Sequence, residues 1–447
     1  MQTDKTTLQD LSFIRSGGED IFQLMDHTVT QAGREALRLH LLNPPQDYET
    51  LQSVQAVVRY FVLHSDAWSN IISNGTVILL EQFFETADHI ALPPSGLELV
   101  LGSFFQKILN KDQYTFTQFS ISHLADFVRG CNQFAALLSE SDLPELLRQN
   151  IQTIKDELEK HILAQEIADL PKDTPYAKLV RIAYRARREL KSMVYRLIKI
   201  YALLDCWHSM AVATVSNRWN FPALMPSAEI LLSGTALFHP LLQQPIAYNI
   251  HFDSARNFLF LTGANMSGKT TFMRTLGVAS LLAHLGMGVP AASFQISFME
   301  GIVTNMHIED NLILGESYFL AEIKRMKQTA EKIQSPKTHI VLMDELFKGT
   351  NVHDAYECTK AVVQRLLLHK NHIMVLSTHL YEVAQEFNHR KEISFQYFET
   401  DLSHQGDYRF TYQLKDGISN DRIGYRILLQ EKVLELLEAG IGTSQRT

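Results

Sequence analysis

Eight consecutive residues, Gly263, Ala264, Asn265, Met266, Ser267, Gly268, Lys269 and Thr270, have the G-x-x-x-x-G-K-[ST] spacing of a phosphate-binding loop. Glycines at 263 and 268 let the backbone curl until several N–H groups, continuing through Thr271, point inward at phosphate oxygens. Lys269 is placed to reach the β and γ phosphates of a nucleoside triphosphate, and the Thr270 hydroxyl to hold Mg²⁺. Such a loop needs a strand before it and a helix after it, because the helix N-terminus adds its partial positive charge. The flanks read that way, with a short buried strand over 258–262 and an apolar, periodic helix over 271–285.

Three further segments could complete a hydrolytic site. The apolar run 338–343 reads as a buried strand that ends in Asp344 and Glu345, at the edge where open α/β sheets bind ligands. Asp344 would hold the hydration shell of Mg²⁺, and Glu345 would polarise an attacking water. A second apolar run, 373–376, leads through Ser377 and Thr378 to His379. That histidine either contacts the γ-phosphate or the attacking water, or is structural. Ser317 stands near the start of a helix running to about residue 333. It either leaves the first-turn N–H groups facing an anion or caps its own helix. The order of loop, serine-bearing helix start, Asp-Glu strand and histidine strand points to ATPases of the ABC class. In that class two ATP molecules are held between two nucleotide domains. One such domain per chain implies a dimer, with identical or different subunits, joined through the ATPase domain.

These residues must be positioned by a fold that the rest of the sequence outlines. The chain has 447 residues, 46% hydrophobic and 20% charged, enough for two or three domains with ordinary cores. Its net charge of −8 argues against a globally basic nucleic-acid binder. Cys131, Cys206 and Cys358 are far apart and read as reduced thiols. No leader-like segment and no long apolar run is evident, so a cytoplasmic protein without membrane partners is expected. Residues 1–220 read as helical, with helices expected over 20–42, 117–138, 143–167 and 178–212. Residues 221–447 alternate strands with helices, the mark of an α/β domain with a largely parallel sheet.

The loop 262–274, with its Asn265-Met266 pair, resembles that of the ATPase domain of the MutS family of DNA mismatch repair proteins. Ala264 and Ser267 replace the family's usual proline and glycine. The runs 342–350, 377–379 and 315–319 resemble the family's L-x-D-E-x-x-x-G-T, [AS]-T-H and G-x-S-T-F motifs. The resemblance implies that Ser317 acts in trans on the partner's ATP. It also implies an adenine contact just after His239-Pro240, for which Ile246 and Tyr248 are candidates. Residues 24–37 and the run from Tyr201 to Asp205 are similar to the family's helical core, or lever. The fold implied is thus a helical lever domain followed by a P-loop ATPase domain of ABC class. The core-like segment begins about twenty residues in, so the family's mismatch-reading domain is expected to be missing. Two Phe-x-Glu tripeptides, at Phe83 and Phe298, lie outside such a domain and are read as structural.

DNA is therefore an expected but not an assured partner. The best candidate contact is a helix from 178 to 201 carrying Lys178, Arg181, Arg185 and Arg188, followed by Arg196 and Lys199, opposite an apolar face. The competing reading is a solvated face that pairs with acidic helices around 156–166. Two functions follow: a DNA-associated ATP-hydrolysing clamp, or an ATP-driven module that acts on a protein partner or regulates a full-length relative without binding DNA itself.

Overall fold

In the computed structural model the described residues are 1–15, 17–85, 111–171, 173–306, 318–402, 408–419, 428–429 and 431–442. They divide into two units. One comprises Leu24–Leu42 and Glu49–Asn217, and the other Met1–Gln23, Asn43–Tyr48 and Arg218–Thr447. The first 23 residues thus pack with the second unit, which a boundary at residue 220 does not anticipate.

The first unit is built of helices, and its organising element is Lys191–Ser216. That helix buries Met193, Leu197, Tyr201, Leu204 and Met210 along one side. Its Asp205 is fully buried and accepts hydrogen bonds from the Val29 and Thr30 amides, both at 2.9 Å, and from the Thr30 hydroxyl at 2.7 Å. Thr30 in turn caps the helix Gln31–Leu42 by accepting from the Gly33 amide at 3.0 Å. Gly33 has to be glycine, since a Cβ there would lie 2.1 Å from an Asp205 oxygen.

Three helices expected as continuous are broken. Residues 20–42 form Ile21–Met25 and Gln31–Leu42, because Asp26 and Asp205 offer the intervening amides side-chain acceptors. The segment 143–167 divides into Glu145–Lys160 and Ile162–Ala168 at His161, whose ring contacts the Glu157 carbonyl. The segment 178–212 divides into Tyr176–Glu189 and Lys191–Ser216 at Leu190. Helices Tyr48–Leu63 and Asn74–Glu85 went unassigned in the sequence. Phe83 and Phe298 are both buried, in keeping with a structural role.

The second unit is an α/β structure with ten strands among the described residues. They are β1 (Ala223–Met225), β2 (Leu231–Leu237), β3 (Tyr248–Asp253), β4 (Phe258–Thr262) and β5 (Ser293–Ser297), then β6 (Gly301–Asn305), β7 (His339–Asp344), β8 (Ile373–Ser377), β9 (Ile393–Leu402) and β10 (Tyr408–Asp416). The large sheet has the order β10-β9-β4-β8-β7-β6, parallel except for β10 at one edge. Strands β4, β6 and β8 are buried at every position, as parallel strands covered on both faces must be. A smaller sheet, β1-β5-β2-β3, was not foreseen: its strands are short, and Gly234 and the prolines around it obscure their alternation. Among the described residues no helix is long and apolar enough to cross a membrane.

Candidate nucleotide site

The C-terminal ends of β4, β7 and β8 meet at one lip of the large sheet. The β7–β8 register sets Asp344 directly beside Ser377, and the β4–β8 register sets Leu261 beside the same serine. The glycine-rich loop leaves β4 and enters the helix Lys269–Leu285 with Gly263 at φ +127° and Gly268 at φ +112°, where L side chains are strained. Met266 also has positive φ, at +67°, and its side chain is exposed. Phe398 closes in behind both glycines: a Cβ at Gly263 would lie 3.2 Å from its carbonyl oxygen.

Lys269 is nearly buried and donates to the carbonyl oxygens of Gly263 and Ala264 at 2.8 and 2.9 Å. Its ammonium also lies 3.8 Å from a Glu345 oxygen. Burial lowers its pKa, and the Glu345 and Asp344 carboxylates partly offset that effect. Thr270 donates its hydroxyl to Asp344 Oδ2 at 2.5 Å, and Ser377 donates to Asp344 Oδ1 at 2.7 Å. A hydroxyl and a carboxylate side by side are hard oxygen donors. They suit Mg²⁺, which binds few protein groups and keeps its waters. No cluster of three or more metal-ligating His, Cys, Asp or Glu occurs among the described residues.

Glu345 has φ +50°, and Phe347 two residues on has φ +63°, so the chain turns sharply after β7. Burial would raise the Glu345 pKa. The facing His379 ring, the Lys348 ammonium and the Lys269 charge outweigh it and bring the carboxyl down to about 2. Lys348 Nζ lies 2.9 Å from one Glu345 oxygen, and His379 Nδ1 lies 3.7 Å from the same oxygen. Lys348 escaped the sequence reading, although its place three residues after Glu345 is a detectable signal.

Residues 265, 266 and 268–271 line a cleft of about 590 Å³ together with Asp344 and Glu345. Its far wall holds Ile246, Tyr248 and Tyr412. Tyr248 is buried with its ring edge-on to Phe272 and Phe398, at centroid distances of 5.4 and 5.8 Å, and so is engaged in the core. Ile246 and Tyr412 are exposed. Tyr412 was missed because β10 carries no motif and lies far along the chain from the loop. Ser317 lies outside the described residues.

Comparison with known proteins matches the segment that holds most of these residues. A family model described as MutS domain V matches residues 259–435, the segment that carries the loop, Asp344, Glu345 and His379. Over that segment the chain carries a MutS-family domain.

The relatives show how much of a MutS protein is matched. "DNA mismatch repair protein MutS 1" of Haloarcula marismortui is 29% identical over 259 residues, covering 55% of this chain and 27% of the relative. "DNA mismatch repair protein MutS" of Lawsonia intracellularis is 30% identical over 216 residues, 46% of this chain and 24% of the relative. "DNA mismatch repair protein MSH7" of Arabidopsis thaliana is 24% identical over 476 residues, 95% of this chain and 42% of the relative. The chain therefore spans less than half the length of these MutS and MSH relatives. The MSH7 match extends the likeness into the helical unit.

The candidate basic face on the helices is largely engaged within its own unit. Arg185 donates to Glu189 at 3.1 Å and to Glu166 at 3.5 Å, and Arg196 donates to the buried Glu157 at 2.8 Å. Arg188 bonds the Tyr184 hydroxyl and lies over its ring. Lys178 and Arg181 are exposed. The break at Leu190 divides the stripe between two helices.

Proposed function

We propose that this chain binds and hydrolyses ATP with Mg²⁺ in the cleft beneath the glycine-rich loop. The observation that carries the reading is the convergence of Lys269, Thr270, Asp344 and Glu345 from two separate segments on one lip of the sheet. Bound Mg²⁺ would draw charge from the phosphate oxygens, and Thr270 and Asp344 would hold it. Lys269 would leave the Gly263 and Ala264 carbonyls for the phosphate chain, and the loop amides would bind phosphate oxygens. Glu345, kept ionised by Lys348 and His379, would orient and deprotonate the attacking water. The adenine would lie toward Ile246 and Tyr412, on the open side of the cleft.

The α/β unit would be an ABC-class ATPase domain formed chiefly by residues 221–447, and the helical unit before it a lever. Ser317 of one subunit would complete the site of the other, so the working unit is a dimer. The printed names of the relatives, all DNA mismatch repair proteins, support DNA as the partner. A second reading has its own observation. Because Arg185 and Arg196 are paired with carboxylates, the helices offer DNA less free charge than their sequence suggests, which favours a protein partner. ATPase assays on intact, mismatched and branched duplexes, with Lys269→Ala as the inactive control, test both. Stimulation by DNA supports the first reading, and turnover indifferent to every DNA supports the second. Full activity in Lys269→Ala overturns the hydrolytic mechanism.

A further inference from the structure

The first residues of the chain are tied to the α/β unit by a chain of polar contacts that ends at Glu345. Gln2 extends the large sheet at its β6 edge. Its amide donates to the Glu300 carbonyl at 2.6 Å and its carbonyl accepts from the Ile302 amide at 3.0 Å. Asp4 then caps the short helix Lys5–Asp10, accepting from the Thr7 amide at 2.7 Å. The same carboxylate receives Arg325 at 3.1 Å and Lys332 at 2.7 Å, both from the helix Tyr318–Ile333. Arg325 also donates to the Thr304 carbonyl, at 2.8 and 3.2 Å. Asp10, buried at the far end of the short helix, accepts from the Thr304 hydroxyl at 2.6 Å and from the Met306 amide at 3.2 Å. The arm therefore holds the end of β6 and one helix in fixed register.

That helix reaches the nucleotide cleft from its other end. Glu322 is buried, and its two carboxylate oxygens accept the Lys348 and Gly349 amides, each at 3.0 Å. Gly349 packs so closely on the start of the helix that a Cβ would lie 2.7 Å from the Phe319 amide nitrogen. The loop after β7 is thus clamped to the helix by backbone and side chain together, and the residue it presents is Lys348, ion-paired to Glu345 at 2.9 Å. A shift of the Tyr318–Ile333 helix along its axis would move Lys348 and Glu345 with it.

We propose that Asp4 is a positioning residue for hydrolysis: through Arg325 and Lys332 it sets the helix whose Glu322 holds the Lys348–Gly349 turn against Glu345. Asp4 grips the helix through two charged side chains, the helix backbone spans the three residues from Arg325 to Glu322, and Glu322 holds the two amides of the turn. Displacing the arm would loosen the turn while leaving the glycine-rich loop, which makes none of these contacts, intact. The turnover part of this inference rests on the hydrolytic reading above; the mechanical part does not.

The test uses the full chain as wild type, Asp4→Ala and Asp4→Glu. Backbone hydrogen exchange is followed without nucleotide, together with affinity for a fluorescent ADP and steady-state ATP turnover. Asp4→Ala should speed exchange at Lys348 and Gly349 by about fivefold or more. It should lower kcat about tenfold with ADP affinity within about twofold of wild type, and Asp4→Glu should restore both. Faster exchange confined to residues 1–13, or equal loss of affinity and kcat, would overturn the proposal. If wild type itself fails to hydrolyse ATP, the hydrolytic reading falls, and exchange at Lys348 and Gly349 still decides whether the arm positions the turn.

Discussion

The two units put their charged groups to opposite uses. In the α/β unit the strand ends bring Lys269, Asp344, Glu345 and Lys348 to one lip, where like and unlike charges share a partly buried space. In the helical unit charges are spread along exposed helix faces and neutralised two or three at a time, as in Arg185 with Glu189 and Glu166. Among the described residues of that unit its most deeply buried carboxylate, Asp205, holds backbone amides. Parallel strands end together, so a sheet edge concentrates functional groups. Helix faces distribute them, so the same number of charges serves packing and solubility.

The sharpest way to break this comparison is to remove a charge at the lip. Lys269→Ala should weaken triphosphate binding and lower turnover by about 100-fold or more, with the thermal midpoint little changed, because the ammonium bonds only loop carbonyls and faces Glu345. A large stability loss with affinity retained would show that the lysine is structural. The matching change in the helical unit is Asp205→Ala. It frees two amides and a hydroxyl in a buried setting and should cost about 3 kcal/mol of unfolding free energy in denaturant titration. ATP affinity should stay the same; a parallel loss of affinity would mean that the division of labour is wrong.

Legibility follows the same division. The glycine-rich loop was readable because its chemistry demands fixed residue types at fixed spacing, and β4, β7 and β8 because strands buried on both faces are unbroken apolar runs. Lys348, Ser377 and Tyr412 were not assigned, since what recruits them is strand register and a sharp turn at Glu345. The breaks at His161 and Leu190 were invisible for a related reason: helical periodicity continues through them, and only the tertiary contacts of each half differ. The pairing of the basic stripe was readable as an alternative: Arg185 and Arg196 meet Glu166 and Glu157, within the acidic segment around 156–166.

That last point yields a finer test. Lys178→Glu with Arg181→Glu should reduce DNA affinity severalfold and flatten its salt dependence, because these two residues are exposed. Arg196→Ala should chiefly cost stability, roughly 1 kcal/mol, by removing one of the two cations that face Glu157. Equal effects on DNA from all three positions would mean that the paired arginines are released on binding. A separate test of the two units uses pH. Burial lowers His208 in the helical unit and His372 in the α/β unit to about 4. The unfolded chain takes up these protons near pH 6.5, so their contribution is complete above that value and is lost as pH falls toward 4. His208→Phe should flatten the helical unit's acid sensitivity by on the order of 1–2 kcal/mol; an unchanged pH profile would place the sensitivity elsewhere.

The central claim is that Glu345 activates water for ATP hydrolysis at the lip of the large sheet. Single-turnover hydrolysis of radiolabelled ATP by wild type and Glu345→Gln, with Mg²⁺ and saturating protein, tests it most directly. The account predicts that the variant binds ATP as tightly as wild type but cleaves it about 100-fold or more slowly. Cleavage at the wild-type rate by Glu345→Gln would contradict it.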